Sequence, residues 1–544
     1  DSGVMEFEAF AEDAYTATLT SNDIVAGHFD GDDTFTGAGG ENFIVAGLGD
    51  ADKSSEDSVT FTGTGKNTIM TNAGSFTYRL DELGNETIVS TVQTLTNIDH
   101  DGNDFVSTGS GRDVVALGMG NDTAHLGDGD NFALGGAGRI ELGFAASGAT
   151  SVRLTSEQVS SILSDGNDSI TSGVGQDVVA LGLGDDIANL GDGNNFALGG
   201  AGDIELLLEA SGAQTIRLTA AEVSIIDRDG NDTITTGLGR DVVALGLGAD
   251  TANLGDGNNF ALGGEGEIVL TLADTGAETI RLTSAELSTI DQDGNDTVTT
   301  GLGRDVVALG MGADSVTLGD GINFVLGDAG EIDLTLGATG SQSVRIQSAA
   351  TSSIVRDGND TVNTGEDDDF IVLGLGDDVG NFGNGKAFGV GSDGTVLYEQ
   401  AAGTTAFEFE IKSNTIVGTY YDGNDTINAV NGDDYIILGL GDDVANVGDG
   451  RNRVIGDQGR MSGGPLADVE EIQSTYLNLG GDDQVSSGKD ADIFVLGQGG
   501  ETADSGAGDD ILIGDTPKAL RRRHRVQGIR THGRLWKHST LADV

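Results

Sequence analysis

A chain of 544 residues has room for several ordinary domains, but 90 glycines, 2 prolines and 89 acids against 27 bases fit none of them. Without periodicity, this much glycine and a net charge of −62 would describe a disordered polymer, and the charge argues against nucleic acid as a partner. The absence of cysteine excludes disulfides and thiolate metal sites, and no stretch approaches the ~18 apolar residues of a membrane span.

Residues 1–29 form a leading segment with apolar positions but no regular spacing. They lack a basic start followed by an apolar run, so no signal peptide is visible. A first residue of Asp1 rather than Met reads as a fragment or a processed product. Residues 30–100 read as a divergent first module. Asp33 and Asn42 stand nine apart, and weaker echoes at Asp57 and Asn67 surround an expected hairpin.

From Asp101 the register is clean. DGND recurs at Asp101, Asp165, Asp229, Asp293, Asp357 and Asp422, spaced by 64 residues four times and then by 65. Residues 101–456 are therefore regular modules, and a fixed period turns the composition into that of a solenoid, whose core grows by stacking. The module opening at Asp229 reads DGNDTITTG LGRDVVALG LGADTANLG DGNNFALGG, four blocks of nine. Each has glycine second and a carboxylate or carboxamide fourth: Asp232, Asp241, Asp250 and Asn259.

About 28 residues of another character follow. Ile268, Leu270 and Leu272 alternate before Gly276, and Ile280 and Leu282 alternate after it, the pattern of a β-hairpin with one apolar face. Thr283 with Glu286, Thr219 with Glu222 and Thr155 with Gln158 match a capping box and predict a short helical turn back into DGND. The later modules drift, with Lys386 where a fourth block begins and a long insert over 386–421. Residues 457–516 hold a final insert and a terminal run in which Asp483, Asp492, Glu501 and Asp510 regain the register. Residues 517–544 carry 8 of the 27 Lys and Arg and one acid, and are expected to be unstructured or non-native.

The nine-residue unit has its own chemistry. Alternate glycines permit a sharp turn that exposes carbonyl oxygens, and the Asp at its end projects into the same concavity. The β-favouring residues after it, as in Val242 to Leu245, extend. Turn plus strand is half a coil, so 18 residues make one coil, and strands stack about 4.8 Å apart in two parallel sheets. Asp232 and Asp250 are 18 apart and lie on one edge, as do Asp104/Asp122, Asp168/Asp186, Asp296/Asp314, Asp360/Asp378 and Asp425/Asp443. On the other edge Asp113, Asp177, Asp241, Asp305 and Asp434 stand opposite an Asn, and Asp369 shares their register. Asp483, Asp492 and Asp510 continue the series. Carboxylates and loop carbonyls are hard oxygen donors of flexible geometry, which suits several Ca²⁺ ions better than Mg²⁺ or zinc.

GLGRDVVALGLGADTANLG resembles the glycine- and aspartate-rich nonapeptide of the RTX, or haemolysin-type calcium-binding, family, over most of residues 30–516. The resemblance implies an all-β fold, a calcium-binding parallel β-roll, in bacterial proteins exported by type I secretion. Exits such as residues 327–332 look like those of long, adhesin-like surface members with hairpin inserts. Departures are the Leu or Thr often replacing the unit's first glycine, as at Leu245 and Thr236, and a basic tail unlike the family's acid- or hydroxyl-rich export signal.

With Val243 facing the roll interior, blocks one and three present Thr233, Thr235, Thr251 and Asn253 outward, whereas blocks two and four present Val242, Ala244, Phe260 and Leu262. An apolar outer face calls for a cover, from the hairpins or from a partner chain. The expected function is a calcium-stiffened structural or adhesive region of a secreted or cell-surface protein of a Gram-negative bacterium. The alternative is the export and folding module of an enzyme whose catalytic domain lies elsewhere. No HExxH or GxSxG motif occurs, and the carboxylate pairs repeat in every module, so no enzyme is expected within these residues. Expected partners are calcium ions, with other copies of the chain or cell-surface components as candidates.

Overall fold

Three-residue strands set between glycine turns can only be stable as members of larger sheets, and the chain builds three kinds of them. The computed structural model describes residues 4–11, 14–21, 33–47, 57–92, 102–157, 166–221, 229–285, 294–349, 357–414, 422–464, 469–475, 480–514 and 520–523. Every regular element among them is a β-strand. Two compact units contain them: Asp1–Leu318 with Ala329–Ala338, and Gly319–Asp328 with Thr339–Val544.

In the first unit, Thr233–Thr235 pairs in parallel with Thr251–Asn253, and Val242–Ala244 with Phe260–Leu262, each partner 18 residues on. The next coil comes 46 residues later, with Ala252 opposite Val298 and Ala261 opposite Val307, because the hairpin intervenes. Ile234, Val243, Ala252 and Ala261 fill the interior with no exposure. Alternating β-branched residues with alanine suits a coil only one side chain deep. The result is a parallel β-roll.

The hairpins form a third, antiparallel sheet. Gly266–Leu272 pairs with Glu278–Ser284, and each hairpin pairs with its neighbours: Gln214–Ala220 on one side, Gly330–Leu336 on the other. This sheet covers the strands of blocks two and four, and Gly266–Leu272 contacts both Val242–Ala244 and Phe260–Leu262. Val242, Phe260, Ile268, Leu270 and Leu282 are consequently buried. Each side chain of that size contributes about 1.5–3 kcal/mol when removed from water. The cover is therefore internal, and no partner chain is needed for it. The leading segment joins the same sheet, since Val4–Ala11 pairs with Ala14–Ser21, which pairs with Gly74–Leu80.

The second unit follows the same plan with larger residues. Phe324, Phe370, Phe388 and Tyr435 stack on successive strands at centroid distances of 5.1, 4.8 and 5.2 Å. Tyr398 and Phe409 from the hairpins meet Phe388 at 5.5 and 5.7 Å. On the uncovered sheet Asn381 donates to Asn363, Asn428 to Asn381 and Asn446 to Asn428, at 2.9, 2.9 and 2.8 Å. Lys386 does not interrupt the fourth block, because its ammonium pairs with Asp368 at 2.7 Å and Ala387–Val390 forms the strand.

Two expectations are corrected. Thr155, Thr219 and Thr283 lie inside hairpin strands, where pairing already engages the backbone, rather than at an N-cap; the expected helical turns, with Gln158, Glu222 and Glu286, lie outside the described residues. In the basic tail, expected to be unstructured or non-native, the described residues Leu520–Arg523 form a strand antiparallel to Val469–Ser474.

Candidate metal centre

The turns stack as closely as their strands. Gly248 has φ 152°, and a Cβ there would lie 1.8 Å from the carbonyl oxygen of Gly230, one coil earlier. Glycine lets these carbonyls approach the next turn, which is why it fills the second position of most blocks; Asp367 and Asp490 take that place at φ 90° and 86°.

Along one edge the acids of blocks one and three form a continuous ladder within each unit. Oδ1 of each accepts the backbone N–H of the acid one coil before it. In the first unit the donors and acceptors run Asp104 to Asp122, Asp122 to Asp168, Asp168 to Asp186, and Asp186 to Asp232, at 2.6–2.9 Å. They continue Asp232 to Asp250, Asp250 to Asp296, and Asp296 to Asp314, at 2.6, 2.9 and 2.7 Å. Asp33 and Asp57 extend this ladder toward Asp104. In the second unit Asp360, Asp378, Asp425, Asp443 and Asp483 repeat it at 2.7–3.1 Å. The acids paired in the sequence thus share one ladder, and the fold also joins them across modules, 46, 47 or 40 residues apart.

One oxygen of each acid is therefore engaged. The other oxygen is telling: Oδ2 of Asp250, Asp378 and Asp443 is buried and has no hydrogen-bond donor. Asp250 is 1 % exposed. A buried carboxylate oxygen without a donor costs free energy unless a cation meets it, and paired oxygens beside stacked carbonyls suit Ca²⁺.

The opposite edge is built differently. Asn195, Asp241, Asn259 and Asp305 form the same Oδ1 ladder, at 2.9, 3.2 and 2.9 Å. Here, however, Oδ2 of Asp241 accepts from the Thr236 hydroxyl at 2.8 Å, with Ser172 on Asp177 and Thr300 on Asp305 at 2.7 and 2.6 Å. Nδ2 of Asn259 donates to the turn carbonyl of Gly255 at 2.8 Å, and Nδ2 of Asn131 to those of Gly127 and Gly129, both at 3.0 Å. The amide thus occupies turn carbonyls on this edge. Asp113 stands opposite Asn131 in this ladder, and Asp369 opposite Asn323. Asp434, Asn452, Asp492 and Asp510 close it at 2.8–3.1 Å.

Burial raises the acids of both edges, Asp369 and Asp434 on the Asp/Asn edge reaching about 7. Burial, and after it the charges of Asp186 and Asp250, hold Asp232 well above the usual carboxylate range. Burial pushes Asp250 up to about 7. Asp241 rises only to about 6, since hydrogen bonds from the Asn195 backbone and the Thr236 hydroxyl oppose its burial. Asp483 reaches about 9 through burial and then the charge of Asp443.

Four further buried acids went unread in the sequence: Asp229, Asp328, Asp422 and Asp457, none more than 1 % exposed. Each sits where a hairpin exit meets the next DGND opening. Asp229 and Asp422 belong to DGND openings, which can be read as turn punctuation alone; Asp328 and Asp457 belong to exits. The signal that could have found them is an acid at one position or the other in each of these modules.

Among the described residues no group of three His, Cys, Asp or Glu converges closely enough to hold a metal. A family model described as "RTX calcium-binding nonapeptide repeat (4 copies)" matches residues 29–50, 99–133, 163–188, 224–252, 291–325, 355–386 and 419–454. No curated protein and no solved structure matched the chain.

Proposed function

Because the chain carries RTX calcium-binding nonapeptide repeats, we propose that it is a structural, adhesive-type region of a secreted or cell-surface bacterial protein that folds where calcium is abundant. The observation that carries the reading is the buried Oδ2 row of Asp250, Asp378 and Asp443. Ca²⁺ would be held by the pairs Asp104/Asp122, Asp168/Asp186, Asp232/Asp250, Asp296/Asp314, Asp360/Asp378 and Asp425/Asp443 together with turn carbonyls. When bound, it supplies the positive charge that lets these carboxylates stay ionised inside the roll. The Asp/Asn edge, where Oδ2 of Asp177, Asp241 and Asp305 already accepts a hydroxyl, fills second.

Magnitudes support coupling to folding. Extracellular-type sites have dissociation constants of roughly 0.1–1 mM, and ligand at ten times a dissociation constant adds about 1.4 kcal/mol per independent site. Six pairs together reach about 8 kcal/mol, comparable with the about 5–15 kcal/mol of a whole domain. Micromolar calcium would leave the chain unfolded and millimolar calcium would fold it. The same pair is copied in module after module, which favours cation binding over acid–base catalysis as its role.

Far-UV circular dichroism of the whole chain tests this. Little β signal in excess EGTA and recovery at about 0.1–1 mM calcium is the expected result. Full β content in EGTA overturns the proposal.

A further inference from the structure

The described openings at Asp229, Asp357 and Asp422 lie beside the exit of the preceding module, as does Gly480 in the last one, and four buried acids there share one feature. Oδ2 of Asp229 accepts the backbone N–H of Leu247 at 2.5 Å, Asp328 that of Leu375 at 2.6 Å, Asp422 that of Leu440 at 2.7 Å and Asp457 that of Gln498 at 2.6 Å. The four donors are equivalent, each three residues before the third-block acid: Asp250, Asp378, Asp443 and, in the last module, Glu501. The acceptors are not equivalent in sequence. Asp229 and Asp422 open a first block, whereas Asp328 and Asp457 stand two residues beyond a fourth-block strand.

The empty side of each corner explains the exchange. Opposite Asp229 is Gly200, where a Cβ would lie 2.0 Å from Asp229 Oδ1; opposite Asp457 is Gly480, where a Cβ would lie 2.3 Å from Asp457 Oδ1. At these two corners acid on one side and glycine on the other fill one place, whereas at the Asp328 corner the opening position also carries a buried acid, Asp357. Where Asp422 provides the acid, Ser392 stands opposite. Asp422 Oδ1 is buried and finds no hydrogen-bond donor, with Asp443, Asp393 and Asp378 as its charged neighbours. Asp229 likewise faces Asp250 and Asp186.

We propose that each of these corners holds at least one additional carboxylate, supplied from either of two chain positions, that positions the third-block turn and adds negative charge to the calcium site of the Asp/Asp edge. This rests on the calcium reading above. A cap that only received the N–H could be any acceptor, and would leave neither an undonated oxygen at Asp422 nor a need to bury charge beside Asp443. The corner acid acts through the turn that carries Asp250 and is a positioning residue, not a member of the ligand pair.

The experiment is hydrogen exchange of the full-length protein followed by mass spectrometry across a calcium titration, reading peptides over residues 229–254 with those over 425–447 as the internal reference. Asp229→Asn keeps an acceptor but loses the charge. It is expected to raise the calcium midpoint of the 229–254 peptides by about threefold or more and to leave 425–447 unchanged. The double variant Gly200→Asp/Asp229→Gly rebuilds the Asp457/Gly480 arrangement and is expected to bring the midpoint back to within about twofold of wild type. Gly200 does not have a left-handed backbone, so an aspartate is conformationally admissible there. An unchanged midpoint in Asp229→Asn, or no recovery in the relocated variant, overturns the proposal. Wild-type peptides fully protected in EGTA would instead overturn the calcium reading itself, so the two failures are distinguishable.

Discussion

Asp232 donates its backbone N–H to Oδ1 of Asp250 at 2.6 Å, whereas the equivalent bond from Asp241 to Oδ1 of Asn259 is 3.2 Å. The two bonds occupy matching places on opposite edges of one coil. The shorter one is charge-assisted, and it leaves Asp250 Oδ2 free for a cation, while Asn259 has spent its amide on Gly255.

The edges should therefore respond differently to substitution. Asp250→Asn removes a charge from a site with no alternative donor, and should raise the calcium midpoint of folding about two- to tenfold. Asn259→Ser loses the bond to Gly255, costing about 1 kcal/mol at saturating calcium, with a smaller change in midpoint. Calcium titrations of both variants followed by circular dichroism check the order, and a larger midpoint shift for Asn259→Ser reverses it.

Acid should partly replace calcium. Asp241 and Asp250 are raised to about 6 and about 7 in the folded chain, against about 3.9 for an unperturbed aspartate. The folded state then binds more protons than the unfolded one between these values. Its stability contribution is complete below about pH 4 and is lost as pH climbs through 6 to 7. In EGTA, β content should rise as pH falls from 7.5 to 5. With calcium present, binding should release protons and the midpoint should fall as pH rises. A β signal in EGTA that does not grow on acidification contradicts this.

The two outer faces should differ in tolerance. Phe260, 1 % exposed beneath the hairpins, should cost about 3–5 kcal/mol when replaced by alanine. Thr251→Ala on the uncovered sheet should stay within about 0.5 kcal/mol. Urea unfolding in saturating calcium measures both, and equal losses would mean that the covering hairpins contribute little.

Two glycines of positive φ make the last contrast. Gly248→Ala places a Cβ 1.8 Å from a backbone carbonyl that cannot move aside, and should destabilise by about 3 kcal/mol or more. Gly276, at the hairpin tip with φ 82° and nothing near it, should accept asparagine at a cost of about 1 kcal/mol, because that side chain tolerates the left-handed region. Thermal unfolding of the two variants in calcium checks the ranking.

Much of this was legible beforehand, because the information is local and repeated. A nine-residue period fixes an 18-residue coil, and within a coil it fixes which acids face each other: Asp232 with Asp250, Asp241 with Asn259. Alternation around Gly276 likewise fixes the hairpin, and the apolar row Val242, Ala244, Phe260 and Leu262 announces a covered face. What joins one module to the next is not periodic in the sequence. Only the tertiary structure puts Asp186 against Asp232, because the hairpin's length sets that 46-residue step. Only the tertiary structure decides which carboxylate oxygens are left without donors. Asp229 and Asp457 occupy unrelated positions in the repeat, yet they fill the same corner, since what selects them is a space bounded by two distant turns. Periodicity encodes neighbours along one coil; close packing between coils, and the burial it imposes on charge, is settled only when the coils stack.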